Sequence, residues 1–142
     1  MEALALANSL GAHRGRVVDV LEPDLGLHSL RDTIRELFSA AAVGARARAN
    51  DYEILNRLAQ APCLSWDVRG PRLADEDEAA EAARTAIELL VSGRIRECGN
   101  PRCVLFYLAQ GRRRYCSETC ANRTRVARHT ARAQNLGSGP PM

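Results

Sequence analysis

Leu30, Ile34, Leu37, Phe38 and Ala41 recur at i, i+4, i+7, i+8 and i+11. That single apolar stripe at the helical period predicts a helix over 28–43, with Ser29 as its N-cap and Gly44 as its stop. Tyr52, Leu55 and Ala59 share a face, with Leu58 at its flank, and predict a second helix from about residue 45 to 60, ended by Pro62. Ala79, Ala82, Ala83, Ala86, Ile87 and Leu90 predict the buried face of a third helix. Asp75 is its expected cap, Glu78 stands three residues on as in a capping box, and Gly93 ends it. The acidic run Asp75–Glu78 lies at the positive end of that helix dipole, so capping accounts for it better than metal binding or catalysis.

The first 27 residues carry weaker patterning. Leu4, Leu6 and Leu10 suit a short helix, and Val17, Val18, Val20 and Leu21 suit a strand or a buried extended segment closed by Pro23. Cys63 to Val68 alternates polar and apolar residues before Arg69-Gly70-Pro71, which predicts a short strand or extended loop before a turn. No internal repeat is visible. The expected fold is mainly α: a small helical domain over residues 1–97, a small cysteine-bearing unit over 98–133, and a frayed, flexible tail over 134–142.

The chain of 142 residues is 46% hydrophobic and 26% charged, the composition of a folded protein. Its six aromatic residues are Phe38, Tyr52, Trp66, Phe106, Tyr107 and Tyr115, too few for an aromatic core, so Leu, Ile, Val and Ala must build one. Apolar runs are too short to span a membrane, and the acidic start lacks the basic region of a signal peptide. A cytoplasmic location is therefore expected, where clustered cysteines point to metal more than to disulfides. All 20 basic residues are arginine. Residues 1–97 hold 12 Arg against 16 acids, whereas residues 98–142 hold 8 Arg against one acid, Glu118. A mildly acidic body thus carries a strongly basic end, which points to a polyanionic partner.

The strongest chemical signal is Cys98-x4-Cys103-x12-Cys116-x3-Cys120. Two close pairs of thiols match the needs of one tetrahedral zinc ion. Gly99, Asn100 and Pro101 supply a tight turn between the first pair. Val104–Tyr107 reads as a strand, Gln110-Gly111 as a turn, and Arg112–Tyr115 as its return. Ser117 is an expected N-cap, and Cys116 and Cys120 are spaced to share a helix face. Knuckle, β-hairpin and helix make a treble-clef-like finger. Four thiolates close the coordination sphere, so the zinc is structural. Its binding is worth about 10–16 kcal/mol in such units. Disulfides and an iron–sulfur cluster fit less well, lacking any sign of secretion or a redox partner motif. Cys63 reads as a lone buried thiol. His129 is superfluous beside four sulfurs, and His13 and His28 show no catalytic partner.

On a helix from Ser117 to about Ala133, Cys116, Thr124, Ala127 and Ala131 fall on the face of Cys120, toward metal and hairpin. Arg128, Arg132 and Arg125 fall at about 80°, 120° and 140° from it. Arg123 lies near the metal-side edge, in a position suited to structural hydrogen bonding. The guanidinium fork matches phosphate oxygens and the O6/N7 edge of guanine, and Arg112, Arg113 and Arg114 on the hairpin would add backbone contacts. The plainer reading is a solvated helix face, but Glu118 is the one acid available to pair with it.

Arg96-Glu97-Cys98, Cys103-Val104-Leu105-Phe106, Gly111–Ser117, Cys120-Ala121-Asn122-Arg123 and Ala127–Arg132 together resemble the CGNR zinc-finger family. Ala121 stands where that family usually has glycine, and the last cysteine pair is one residue tighter than in many members. Leu4–Leu10, Val18–Leu21, Leu30-Arg31-Asp32 and Leu55–Leu58 resemble landmarks of the helical ABATE domain that usually precedes the finger. The resemblance implies a bacterial, stress-linked transcriptional regulator. The leading expectation is a regulator bound to double-stranded DNA through Arg112, Arg113, Arg114, Arg125, Arg128 and Arg132. The helical body would form a homodimer or sense a small-molecule effector. The alternatives are a protein-interaction module, in which the finger is a brace and its basic helix meets an acidic partner or the chain's own Asp75–Glu81, and RNA binding. For RNA, Phe106, Tyr107 and Tyr115 would stack bases, although finger-core packing explains them better. No Walker loop, dinucleotide fingerprint, nucleophile elbow or catalytic carboxylate pair is present, so an enzyme is not expected.

Overall fold

The computed structural model describes residues 2–13, 16–21, 25–60, 64–73 and 78–137. Over these residues it contains helices α1 (Ala3–Ala7), α2 (Leu25–Ala42), α3 (Ala49–Leu58), α4 (Glu78–Ser92) and α5 (Glu118–Gly137). Three antiparallel strand pairs accompany them: β1 (Leu10–His13) with β2 (Arg16–Asp19), β3 (Leu64–Asp67) with β4 (Gly70–Leu73), and β5 (Ile95–Glu97) with β6 (Phe106–Leu108). The mainly helical class expected from the periodicity holds.

Helix α2 is the central element, touching α1, α3, α4 and β5. Its predicted stripe is the core: Leu30, Ile34, Leu37 and Phe38 are fully buried, against Leu6, Leu55, Ala82, Ala83 and Ala86. The small alanines of α4 let its backbone approach α1, where Thr85 Oγ1 accepts a hydrogen bond from the Ala3 N–H at 2.8 Å. Gly44 ends α2 as expected, with φ +68°. Its N–H bonds to Ala41 O, and the Ala45 N–H reaches Ala40 O at 2.8 Å, the paired pattern of a left-handed C-terminal cap. Gly93, at φ +63°, closes α4 through Leu90 O.

Several sequence expectations shift. Helix α2 begins at Leu25, so Ser29 lies inside it and is not its cap. Helix α3 begins at Ala49, four residues later than expected, and Tyr52 is 41% exposed, leaving Leu55 as its anchor. Leu10 belongs to β1 and not to α1. Val17 and Val18 do form a strand, but a surface one, and Val20 is likewise exposed. The Asp75 cap, the Cys63 thiol, Pro23, Pro62 and residues 138–142 lie outside the described residues.

Candidate metal centre and basic helix

The hairpin β5–β6 carries the metal site on its tip. Ile95 and Phe106 are buried in the main core, and Phe106 meets Phe38 edge to face at 5.6 Å. The same strand therefore anchors the finger to α2. The hairpin differs from the one the sequence predicts: Phe106–Leu108 pairs backward with Ile95–Glu97, not forward with Arg112–Tyr115. Gly111 does turn the chain, at φ +52°, but residues 112–115 form no strand. They are fastened by single bonds instead, from the Gly99 N–H to Arg114 O at 2.9 Å and from the Tyr107 hydroxyl to Arg113 O at 2.9 Å.

Between the strands, Asn100 builds the knuckle. Its side chain accepts from the Arg102 N–H at 3.0 Å and its carbonyl from the Cys103 N–H at 2.9 Å. Gly99 is required here because a Cβ would stand 2.9 Å from Arg114 O, closer than backbone tolerates. Ser117 caps α5 as expected, its hydroxyl accepting from the Cys120 N–H at 3.2 Å.

These elements bring the four predicted ligands together. The sulfurs of Cys98, Cys103, Cys116 and Cys120 all lie within 4.8 Å of one another. Cys103 and Cys116 are separated by 3.7 Å, and Cys116 and Cys120 by 3.6 Å. A zinc–sulfur length of about 2.3 Å gives a tetrahedral edge of roughly 3.8 Å, so the donor set fits one zinc ion. The spacing is far beyond the S–S bond of about 2.05 Å, and all four are free thiols. Burial, then hydrogen bonding with neighbouring thiols, pushes the Cys116 thiol well up, and burial raises Cys103. Burial also opposes ionisation of Cys120, but bonds from Ser117 and the adjacent thiols outweigh it and lower that thiol. Four thiolates this close need a cation to coexist. The Cys116 N–H points at Cys98 Sγ from 3.4 Å, a further donor to that sulfur. The ion is structural: its ligand shell is filled by protein sulfur.

The six arginines proposed for nucleic acid divide into two groups. Arg113 is spent within the finger: its guanidinium lies 5.4 Å from the Tyr107 ring centre and donates to Tyr115 O and Cys116 O. Arg125 donates to Asn122 Oδ1 at 2.7 Å. Arg112, Arg114, Arg128 and Arg132 are exposed and have no hydrogen-bond or ion-pair partner among the described residues. Arg123 is exposed and equally unpartnered, so the hydrogen-bonding role expected of it is not taken up. Thr124 is buried beside the metal face, whereas Ala127 and Ala131 are exposed, so α5 leaves the domain after its second turn. It continues to Gly137, past the expected end near Ala133.

Sequence reasoning missed the residues that join the finger to the helical body. Arg35 donates to Ala7 O at 2.6 Å and to Val104 O at 2.8 Å, with its guanidinium 4.9 Å from the Phe106 ring centre. Asn8 pairs with Phe106 by two hydrogen bonds. His28 lies 3.5 Å from Asp19, whose carboxylate is bound by Arg31. Phe106 and Tyr107 are buried, as finger-core packing requires, and are closed to stacking with bases.

Residues 3–93 match the family model ABATE, described as "Putative stress-induced transcription regulator", and residues 94–133 match the CGNR zinc finger. No curated protein matches the chain.

Proposed function

The chain belongs to the ABATE family and carries a CGNR zinc finger at its C-terminal side, and from this premise we propose that it is a non-enzymatic regulator that binds double-stranded DNA through the finger. The observation that carries the reading is the set of unpartnered cations. Arg112, Arg114, Arg128 and Arg132 extend from a metal-fixed segment whose one acid is Glu118. Exposed guanidiniums without internal partners keep their full capacity for phosphate and base edges. Helix α5 projects beyond the core, a shape suited to a groove.

The same observation disfavours docking on the chain's own acidic helix. None of the four reaches Glu78 or Glu81 of α4. Arg113 and Arg125 also bond within the chain, so their loss would act on DNA binding through structure as well as charge.

Fluorescence anisotropy with duplex DNA across a salt titration tests the proposal. Arg128→Ala should weaken binding and reduce the log–log salt slope by about 0.9 for the lost phosphate contact. Unchanged affinity and slope in that variant would remove α5 as the DNA surface.

A further inference from the structure

A cleft of about 370 Å³ lies between the end of α2, the knuckle and the middle of α5. Val43, Gly99 and Tyr115 form its apolar walls, and Arg114 and Arg128 both line it. We infer that this cleft is a phosphate seat, in which Arg114 and Arg128 grip one phosphate group from two sides. The inference rests on the DNA-binding reading, and singles out two of its four free arginines.

Three features mark this pair; Arg128 also borders a second cavity, with Arg102 and Arg123. First, the two come from different elements, the return loop and α5, yet line one cavity. Arg112 and Arg132 are free but do not line it. Second, both supports are rigid. The Arg114 carbonyl is held by the Gly99 N–H and that of its neighbour Arg113 by the Tyr107 hydroxyl. Arg128 sits two turns along α5 from Cys120, a metal ligand. Little ordering is then left to the moment of binding. Third, neither guanidinium has a protein partner, while the other arginine in the cleft, Arg96, is already turned onto Gly93 O and Ile95 O. Two cationic residues lining one cavity repel, and a phosphate anion between them relieves that repulsion while accepting forked hydrogen bonds from both.

Glu97 is the one acid in the lining, and Ser39 donates to its carboxylate at 2.5 Å, drawing it toward α2. It repels an entering anion, which keeps the seat weak for a free ion. A phosphate delivered by a polymer that makes other contacts would tolerate this cost. The seat therefore has two possible sources of phosphate, the DNA backbone and a free phosphate.

The zinc-loaded full chain should be titrated with inorganic phosphate, read by the arginine side-chain NMR resonances, and separately with duplex DNA by anisotropy. Variants are Arg114→Gln, Arg128→Gln and Arg132→Gln, the last as a charge-matched control. The seat predicts that phosphate binding falls about tenfold in the first two and little in the third, the loss of a charged hydrogen bond. DNA affinity should fall in the same order. If Arg132→Gln weakens phosphate as much as the others, the response is general charge and the seat is overturned, whether or not DNA binds. If phosphate binding shows the predicted order but duplex DNA does not bind, the seat stands for free phosphate, and the DNA reading fails separately. Glu97→Gln, which removes no metal ligand, should tighten phosphate; no tightening would also count against the seat.

Discussion

Asn8 and Phe106, ninety-eight residues apart, are paired as if they were neighbours in a sheet. The Asn8 side chain donates to Phe106 O at 2.9 Å and accepts from the Phe106 N–H at 2.8 Å. One side-chain amide thus closes the free edge of β6, satisfying both backbone groups that a third strand would have engaged. Because Phe106 also packs on Phe38, the finger and the helical body share one fastening. Asn8→Ala leaves both groups unmet in a half-buried setting, which costs about 1–3 kcal/mol. The expected result is a lower Tm and faster amide exchange at Phe106, with zinc stoichiometry unchanged.

Gly99 makes a second, sharper prediction. Its N–H binds Arg114 O, and an added Cβ would sit 2.9 Å from that oxygen and 3.4 Å from the Tyr115 ring. The obstacle is backbone, which cannot swing aside as a side chain can. Gly99→Ala should shift the return loop and loosen Cys116 with it. Competition with a chromophoric chelator should show zinc affinity reduced about 10–100-fold, the range for lost outer-shell support.

How much of this was legible in the sequence follows from the range of each interaction. The α2 stripe, the Gly44 and Gly93 stops and the four cysteines are local patterns, and all appear in place. The β5–β6 pairing was missed because Ile95–Glu97 spans three residues, too short to show alternation. Gly111 does turn the chain, but a turn says nothing about which earlier segment a strand will pair with. Asn8, Arg31 and Arg35 lack any sequence signal, since each bonds to groups chosen by tertiary packing. Arg112, Arg114, Arg128 and Arg132 are legible as exposed charges because their segment holds one acid, Glu118, to pair with them. Arg113 and Arg125 could not be separated from them without knowing where the carbonyls of residues 115 and 116 and the Asn122 amide lie.

Metal removal should act mainly on the C-terminal segment. Cys116 and Cys120 join the first turn of α5 to the knuckle, and beyond Thr124 the helix has little core beneath it. The stretch from Arg125 to Gly137 is about as short as the roughly 12–15 residues below which an isolated helix is marginal in water. Chelation should therefore remove the far-UV signal of α5 while α2 and α4, buried in the body, persist. Elemental analysis should find one zinc per chain, and Cys120→Ser should reproduce the chelated spectrum. Full retention of helicity without metal would show that packing alone orders α5.

Acid should weaken the N-terminal region through Asp19. Arg31 donates to its carboxylate at 2.6 Å, the Leu21 N–H adds a second bond, and together they hold Asp19 below its ordinary 3.8. A carboxyl whose folded pKa is depressed adds stability above its unfolded pKa and loses it as pH falls through the folded value. Wild-type stability should then drop from about pH 4 downward. Asp19→Asn should lower Tm at pH 7 and flatten that acid limb. Thermal melts at pH 7, 4 and 3 would show whether the gap between the two proteins closes with acid.

Arg35 offers the most discriminating test of how finger and body are joined. It is half-buried, and burial first, then the charge of Arg31, lowers its pKa below the ordinary guanidinium value, yet it keeps its proton at any working pH. Its two terminal nitrogens span Ala7 O, at the end of α1, and Val104 O, in the metal loop. A lysine presents a single ammonium and cannot hold two carbonyls from that position, so Arg35→Lys should behave much like Arg35→Met. Each leaves at least one carbonyl unmet, at about 1–3 kcal/mol. If the bridge couples the two parts, both variants should raise amide exchange in residues 104–108 as well as in α1. Rescue by lysine would mean that charge over the Phe106 ring, and not the forked bridge, is what the site requires.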